Sequence, residues 1–198
     1  MNKKHFGILC ITVGVICIII AGYTFVHHWY ENSIAFEKSN ELYEKLVESI
    51  ESEDNNIQTD NTINYYNQII NIDEFDCIGY ISIPNLELDL PVISEFSYYN
   101  LTISPCRYSG SLITHNLVIA AHNYLCHFGY LQNMNIGDRV YFTDVNNVCH
   151  EYSVAAIEVV SPEMVEKVIA GEYDLTLFTC TYSGEHRVVV RCNLISDK

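Results

Sequence analysis

Residues Phe6 to Val26, FGILCITVGVICIIIAGYTFV, contain no charged side chain. About twenty apolar residues is the length a helix needs to cross a bilayer, and a helix satisfies its own backbone hydrogen bonds in hydrocarbon. The run predicts a transmembrane helix and leaves the rest of the chain to fold separately. Lys3 and Lys4 precede it and Glu31 follows, so the positive-inside bias predicts a cytoplasmic N-terminus and an extracellular remainder. A cleaved signal peptide is the competing reading. The run is long for such a peptide, and His27, His28, Trp29 and Tyr30 make a poor small-residue cleavage site.

The remainder has room for one domain and a connection to it. The chain has 198 residues, 49% of them hydrophobic, enough for a packed core. Its formal charge of −15 argues against nucleic acid, which calls for a basic surface. Much of the acid lies between Glu31 and Asp60. Ile34 to Ile50 carries Leu42, Leu46 and Ile50 at four-residue spacing, an amphipathic helix pattern, and Glu51 to Thr62 is polar and aperiodic, as a linker would be. Ile63 to Phe75 reads as a short helix. The expected organisation is a cytoplasmic tip and membrane anchor over 1–30, an acidic stalk or linker over 31–76, and a folded domain over 77–198.

From Cys77 onward the pattern is that of strands. Ile78 to Ile83 is a β-prone run closed by Pro84, and Leu86, Leu88 and Leu90 alternate with Glu87 and Asp89 before Pro91. A strand is also expected around Leu101 to Ile103, then Leu117 to Ala121, a short helix within Asn123 to Asn135, strands Arg139 to Thr143 and Glu151 to Val160, and a brief helix from Ser161–Pro162 to Gly171. Two further β-prone runs, Leu175 to Cys180 and His186 to Asn193, flank a turn. Seven or eight strands with few helices predict an all-β, closed or nearly closed barrel.

The run LTLFTC stops on a thiol at the mouth of that last turn. A nucleophilic cysteine needs a nearby base or cation. Among the extracellular histidines His122 is best placed, since it ends an apolar strand and begins a loop. His115 and His186 read as solvated turn residues. His127 and His150 adjoin Cys126 and Cys149, which raises a metal site as a rival reading, but no pair has a known zinc spacing. If the hairpin turn is centred between Ser183 and Gly184, positions summing to 367 face each other and Cys180 lies opposite Arg187, with Cβ atoms about 5 Å apart. Arg191 shares that face but lies about 13 Å further along. The six extracellular cysteines, Cys77, Cys106, Cys126, Cys149, Cys180 and Cys192, show no disulfide framework.

Five motifs in order then carry a resemblance. TLFTC (Thr176 to Cys180) resembles the TLxTC signature of the sortases, membrane-anchored cysteine transpeptidases of the Gram-positive cell envelope. GYISIP (Gly79 to Pro84), VIAAHNY (Val118 to Tyr124), GDRVYFTD (Gly137 to Asp144) and HRVVVR (His186 to Arg191) extend it across Cys77 to Asn193. The resemblance implies a closed eight-stranded β-barrel behind an N-terminal transmembrane helix and stalk. It implies Cys180 as nucleophile, His122 as general acid and base, Arg187 as the residue that stabilises the oxyanion, and Thr179 and Ala121 as substrate-binding residues. The implied substrates are secreted proteins with an LPxTG-like sorting signal, and the acceptor is an amine of a peptidoglycan precursor or a pilin lysine, with hydrolysis as a side reaction. No cofactor or metal is implied; some members bind Ca²⁺ in loops, which nothing here indicates. The chain lacks the Asp-Pro-aromatic lid motif of pilus-assembling members, and Ser161 to Asp174 is too short for the long inserted helix of some haem-protein-anchoring members. Papain-like peptidases place the cysteine before the histidine, the reverse of the order here. The non-enzyme alternative is an anchored extracellular β-barrel binding module.

Overall fold

Alternate residues of a strand point to opposite faces of its sheet, so a strand buried on both sides reads as continuously apolar, as Leu117–Ala120 does. In the computed structural model, which describes residues 3–54, 69–164, 168 and 172–197, one sheet contains β1 (Ile70–Ile72), β2 (Phe75–Ile83), β3 (Leu88–Ile93), β4 (Cys106–Ser109), β5 (Leu117–Ala120), β6 (Arg139–Asp144), β7 (Cys149–Val160), β8 (Leu175–Cys180) and β9 (Arg187–Asp197). Its order is β1-β2-β3-β4-β5-β8-β9-β7-β6, and β6 pairs back onto β2. Strands β2 to β9 therefore close the expected eight-stranded barrel, with β1 added along the start of β2. Closure leaves β2 serving β3 and β6 at once, and Gly79 makes room for it. Its φ is 138°, and a Cβ there would sit 2.1 Å from the Thr143 carbonyl oxygen.

Two apolar clusters use the two faces of the wall. Ile81, Leu90, Ile119, Phe142, Leu177 and Val190 face inward with Phe128 and Leu131. Val118, Ala120, Phe178 and Val189 face outward, in a cluster with Leu101 and Ile103 of α2 (Tyr98–Ile103) and with Leu42, Leu46 and Ile50. The last three belong to α1 (Lys3–Asp54), and their spacing of four keeps them on one helix face. The chain divides into two compact units, 1–34 and 35–198. Within the first, the apolar side chains are exposed, Ile18 by 73% and Phe25 by 74%; among the described residues α1 is the one helix long and apolar enough to cross a membrane. Within the second, Ser39 of α1 meets Ser104 at 3.2 Å, and the Ser104 hydroxyl donates to the Pro91 carbonyl at 2.7 Å.

Pro91 interrupts no ladder. The Ile93 amide donates to Pro105 and the Pro91 carbonyl accepts from Ser104, so these residues turn their backbone polar groups away from β2. Three local expectations change. Leu101 to Ile103 is helical, because the Ser97 hydroxyl caps α2 by accepting from the Asn100 amide at 2.9 Å. Asn123 to Asn135 is a set of turns with one 3-10 turn at Leu131–Asn133. Ile70–Ile72 is a strand; residues 63–68 lie outside the described residues, as do 55–62 of the expected linker. Pro162–Met164 opens as a 3-10 turn, and most of the way to Gly171 is likewise outside them.

Candidate active site

The geometry of the site follows from two ladders. β5 and β8 are parallel, with Ala120 opposite Phe178. The pairing continues one step, since the Ala121 amide donates to the Phe178 carbonyl at 3.1 Å and the Thr179 hydroxyl donates to the Ala121 carbonyl at 2.8 Å. The next residues along are His122 and Cys180. β8 and β9 are antiparallel with Cys180 opposite Arg187, the register expected from the turn, so every pair sums to 367. Cys180 and Arg187 thus face each other on β8 and β9, strands about 4.8 Å apart, and His122, two residues past the end of β5, extends this row on the other side of β8. Alternation gives Cys180 and Arg187 a common face: Phe178 and Val189 are outward, so this pair is outward too, at the rim of the barrel wall.

Each member is half-buried and held from behind. The Asn123 side-chain amide donates to the Thr181 carbonyl at 3.3 Å, tying the loop after His122 to the residue after Cys180. The His122 carbonyl accepts from the Phe128 amide at 3.2 Å, and the Tyr124 carbonyl from the amides of His127 and Gly129 at 3.0 and 2.9 Å. Gly129 is required there, because a Cβ would lie 2.7 Å from the carbonyl oxygens of Asn123 and Tyr124. Phe128, with no exposed surface, pins this knot to the inner core. Arg187 bonds through one terminal nitrogen to the carbonyls of Gly184 and His186 at 3.1 and 3.0 Å, which leaves its other N–H groups for a ligand.

Cys180 is a free thiol at the surface of the wall, unlike the buried cysteines. Burial pushes Cys77, Cys106 and Cys192 up to about 12 and Cys126 up to about 11, which makes them poor nucleophiles at neutral pH. Arg191, on the face of Arg187, is 6% exposed; it donates to the Val168 carbonyl at 3.2 Å, lies 5.4 Å from the Tyr173 ring and 3.7 Å from Glu158. Thr179 and Ala121 are buried beneath the row and bonded to one another. His150 lies 3.5 Å from Asp144 and His115 3.7 Å from Asp174, both away from the row, and His186 stays exposed in the turn. Among the described residues no three His, Cys, Asp or Glu side chains gather as a metal site. Reading the sequence assigned nothing to Asn123 or Gly129, whose contacts span the β5–β8 pairing and a loop knot that no local pattern marks.

The family model for the sortase domain matches residues 81–195, from within β2 to within β9 and across the whole row. The chain belongs to the sortase family. It is 30% identical over 135 residues to sortase A of Bacillus anthracis, a match that covers 64% of this chain and 64% of that relative's length. Sortase C1 of Streptococcus suis superposes with a TM-score of 0.52 at 28% identity, covering 61% of this chain and 73% of that one. A sortase C of Clostridium perfringens, solved with the C-terminal cell wall sorting motif, superposes with a TM-score of 0.55 at 26% identity, covering 79% and 90%. The motif matched by this sortase at the cysteine, TLFTC, is the strand that puts Phe178 into the outer cluster and Cys180 at its edge.

Proposed function

We propose that this sortase is a cysteine transpeptidase acting on secreted proteins that end in an LPxTG-like sorting signal. The observation that supports this most is the row itself: a guanidinium on the strand to one side of a half-buried free thiol, and an imidazole just past the end of the strand on the other side. In this reading the Cys180 thiolate attacks the Thr–Gly carbonyl and Arg187 stabilises the oxyanion that develops. His122 donates a proton to the departing amine as the thioester forms. An amine of a peptidoglycan precursor or of another protein then attacks the thioester, losing its proton to His122, and the sulfur leaves. The sorting motif held by the C. perfringens neighbour is the substrate class carried over here. Ala121 and Thr179 shape the groove from below.

The chemistry uses side chains of this chain and asks for no cofactor. An anchor over residues 1–30 with the barrel outside the cell puts the site where exported proteins and lipid-linked wall precursors both pass. The stretch 31–76 is read as the connection, its helical part from Ala35 onward docked on the barrel through Leu42, Leu46 and Ile50.

The test is intact-protein mass spectrometry of the full chain in detergent with an LPxTG-type peptide. The expected outcome is an added mass equal to the acyl fragment, discharged by a primary amine and absent in Cys180→Ala. No adduct and no cleavage across a broad peptide panel would leave an anchored binding module instead.

A further inference from the structure

One cavity beside the loop after His122 has no part in the chemistry at Cys180. It measures about 370 Å³ and lies between three pieces of the second compact unit: Phe36 and Tyr43 of α1, the β2–β3 connection from Leu86 to Leu90, and Leu125 and Tyr130 of that loop. β5 and β8 are parallel, and the run of antiparallel pairings β8–β9–β7–β6–β2 points β2 the same way, so β2 finishes at the same end of the barrel as His122 and Cys180. Leu125 is three residues past His122, which keeps their Cα atoms within about 11 Å of each other. The bond from the Phe128 amide to the His122 carbonyl closes the loop and holds that wall of the cavity to the histidine.

The lining carries charge of one sign. Glu87 and Asp89 both line the cavity and are exposed, and among the described residues no lysine, arginine or histidine lines it. Asp89 accepts from the Ser82 hydroxyl, and among the described residues neither carboxylate makes an ion pair. The Tyr43 phenol, pushed up to about 12 by burial and then by Asp89, stays neutral and adds no charge of its own. A cleft lined by one sign of charge focuses its field and raises the local concentration of the opposite ion. Phe36, Leu125 and Tyr130 add exposed apolar surface beside the carboxylates, a surface suited to the methylene stem of a lysine-like group.

At neutral pH a primary alkyl amine is an ammonium, since its pKa is about 10.4 in lysine. The acceptor of the second half-reaction therefore arrives as a cation. We propose that this cavity is the entry site for the acceptor, drawing in a primary alkylammonium on an aliphatic stem and holding it beside the acyl-enzyme. The inference rests on the transpeptidase reading and names the kind of amine that reaction takes. No bond is made in the cavity. Held by the carboxylates the amine stays protonated and unreactive; it gives that proton to solvent on leaving for the thioester, attacks as the free amine, and loses its next proton to His122.

The test uses the full chain in detergent and two probes, Nα-acetyl-lysine amide and the same molecule with its side-chain amine acetylated. Glu87→Gln with Asp89→Asn removes both charges while keeping side-chain size and the acceptor for Ser82. Glu44→Gln with Glu48→Gln removes the same charge from exposed positions of α1 that do not line the cavity. With an acyl-enzyme formed from an LPxTG-type peptide, the KM for the free-amine probe is expected to rise about threefold to tenfold in the first pair. It is expected to stay unchanged in the second, with acylation and hydrolysis rates unaltered in both. Saturation-transfer NMR without sorting peptide is expected to show transfer to the free-amine probe, little to the acetylated one, and loss of the contrast in the first pair. An unmoved KM, an equal rise in the Glu44 and Glu48 pair, or equal transfer to both probes would each overturn the proposal. So would a matching fall in acylation, which would place the two carboxylates in the groove for the sorting signal. If the unaltered chain forms no acyl-enzyme, the transpeptidase reading fails and the NMR contrast alone decides: charge-selective binding that is lost with Glu87 and Asp89 keeps the ammonium site, and its absence removes it.

Discussion

The β8–β9 hairpin carries a cysteine and an arginine at each of its ends, and the two pairs have opposite fates. At the turn end Cys180 and Arg187 are register partners, half-buried and on one face. At the far end Cys192 and Arg191 are sequence neighbours, so the pleat sends them to opposite sides. Cys192 enters the barrel with no exposed surface, while Arg191 lies outside under Val168 and Tyr173. The same two residue types face one another half-buried where alternation brings them together at the rim, and are buried apart where it sends them to opposite faces of the wall. What decides is depth and parity along the strand, not residue type.

Three measurements sharpen or break that contrast. Arg187→Ala is expected to lower acyl transfer by about a hundredfold to a thousandfold, the usual cost of losing one oxyanion donor, with unfolding almost unchanged. Steady-state assay beside a denaturation curve checks it, and a loss of stability as large as the loss of rate would put Arg187 with the interior groups.

His127 is the interior counterpart of His122, and the prediction is one of pH. Its conjugate acid is held down at about 4 in the folded chain against about 6.5 in the unfolded one. The unfolded state therefore binds the proton first as pH falls, so stability is full above about 6.5, declines from there to about 4 and is lost below. The full decline is about 3 kcal/mol. Urea unfolding of the full chain in detergent at several pH values, followed by tyrosine near-ultraviolet dichroism, is expected to lose that part of its slope in His127→Phe. An unchanged slope would mean that His127 meets a proton acceptor in the folded protein.

Arg191→Ala is expected to cost about 2 kcal/mol, mainly the charge-assisted bond to the Val168 carbonyl, because Glu158 stays partly solvated and is not stranded. Turnover per folded molecule should be near normal. A hundredfold fall in that turnover with intact stability would erase the distinction between the two arginines.

Reading the residues in order recovered much of this because much of it is local. The hairpin register needed only a turn centre and a pleat, and both are set by residues within a few positions of Ser183 and Gly184. Leu42, Leu46 and Ile50 declared a helix face by spacing alone. Leu101 to Ile103 misled, since its apolar residues suit a strand as well as a helix and Ser97, four residues earlier, settles the matter by capping. The turns after Asn123 misled because their hydrogen bonds run from Phe128 back to His122 and from Gly129 back to Tyr124, a closure that does not follow a helical period.

The sequence by itself determined the membrane-length helix, the strand-rich domain, and the facing of Cys180 and Arg187, each a consequence of short-range periodicity or of the absence of charge. Only the tertiary structure decided that His122 stands on the other side of Cys180. That placement depends on β5 and β8 pairing in parallel across 58 positions, from Ala120 to Phe178. A one-residue slip there would turn one strand's outward side chains inward. The register is held by the packing of both faces and by the Thr179–Ala121 and Asn123–Thr181 bonds, which exist only once the barrel has closed.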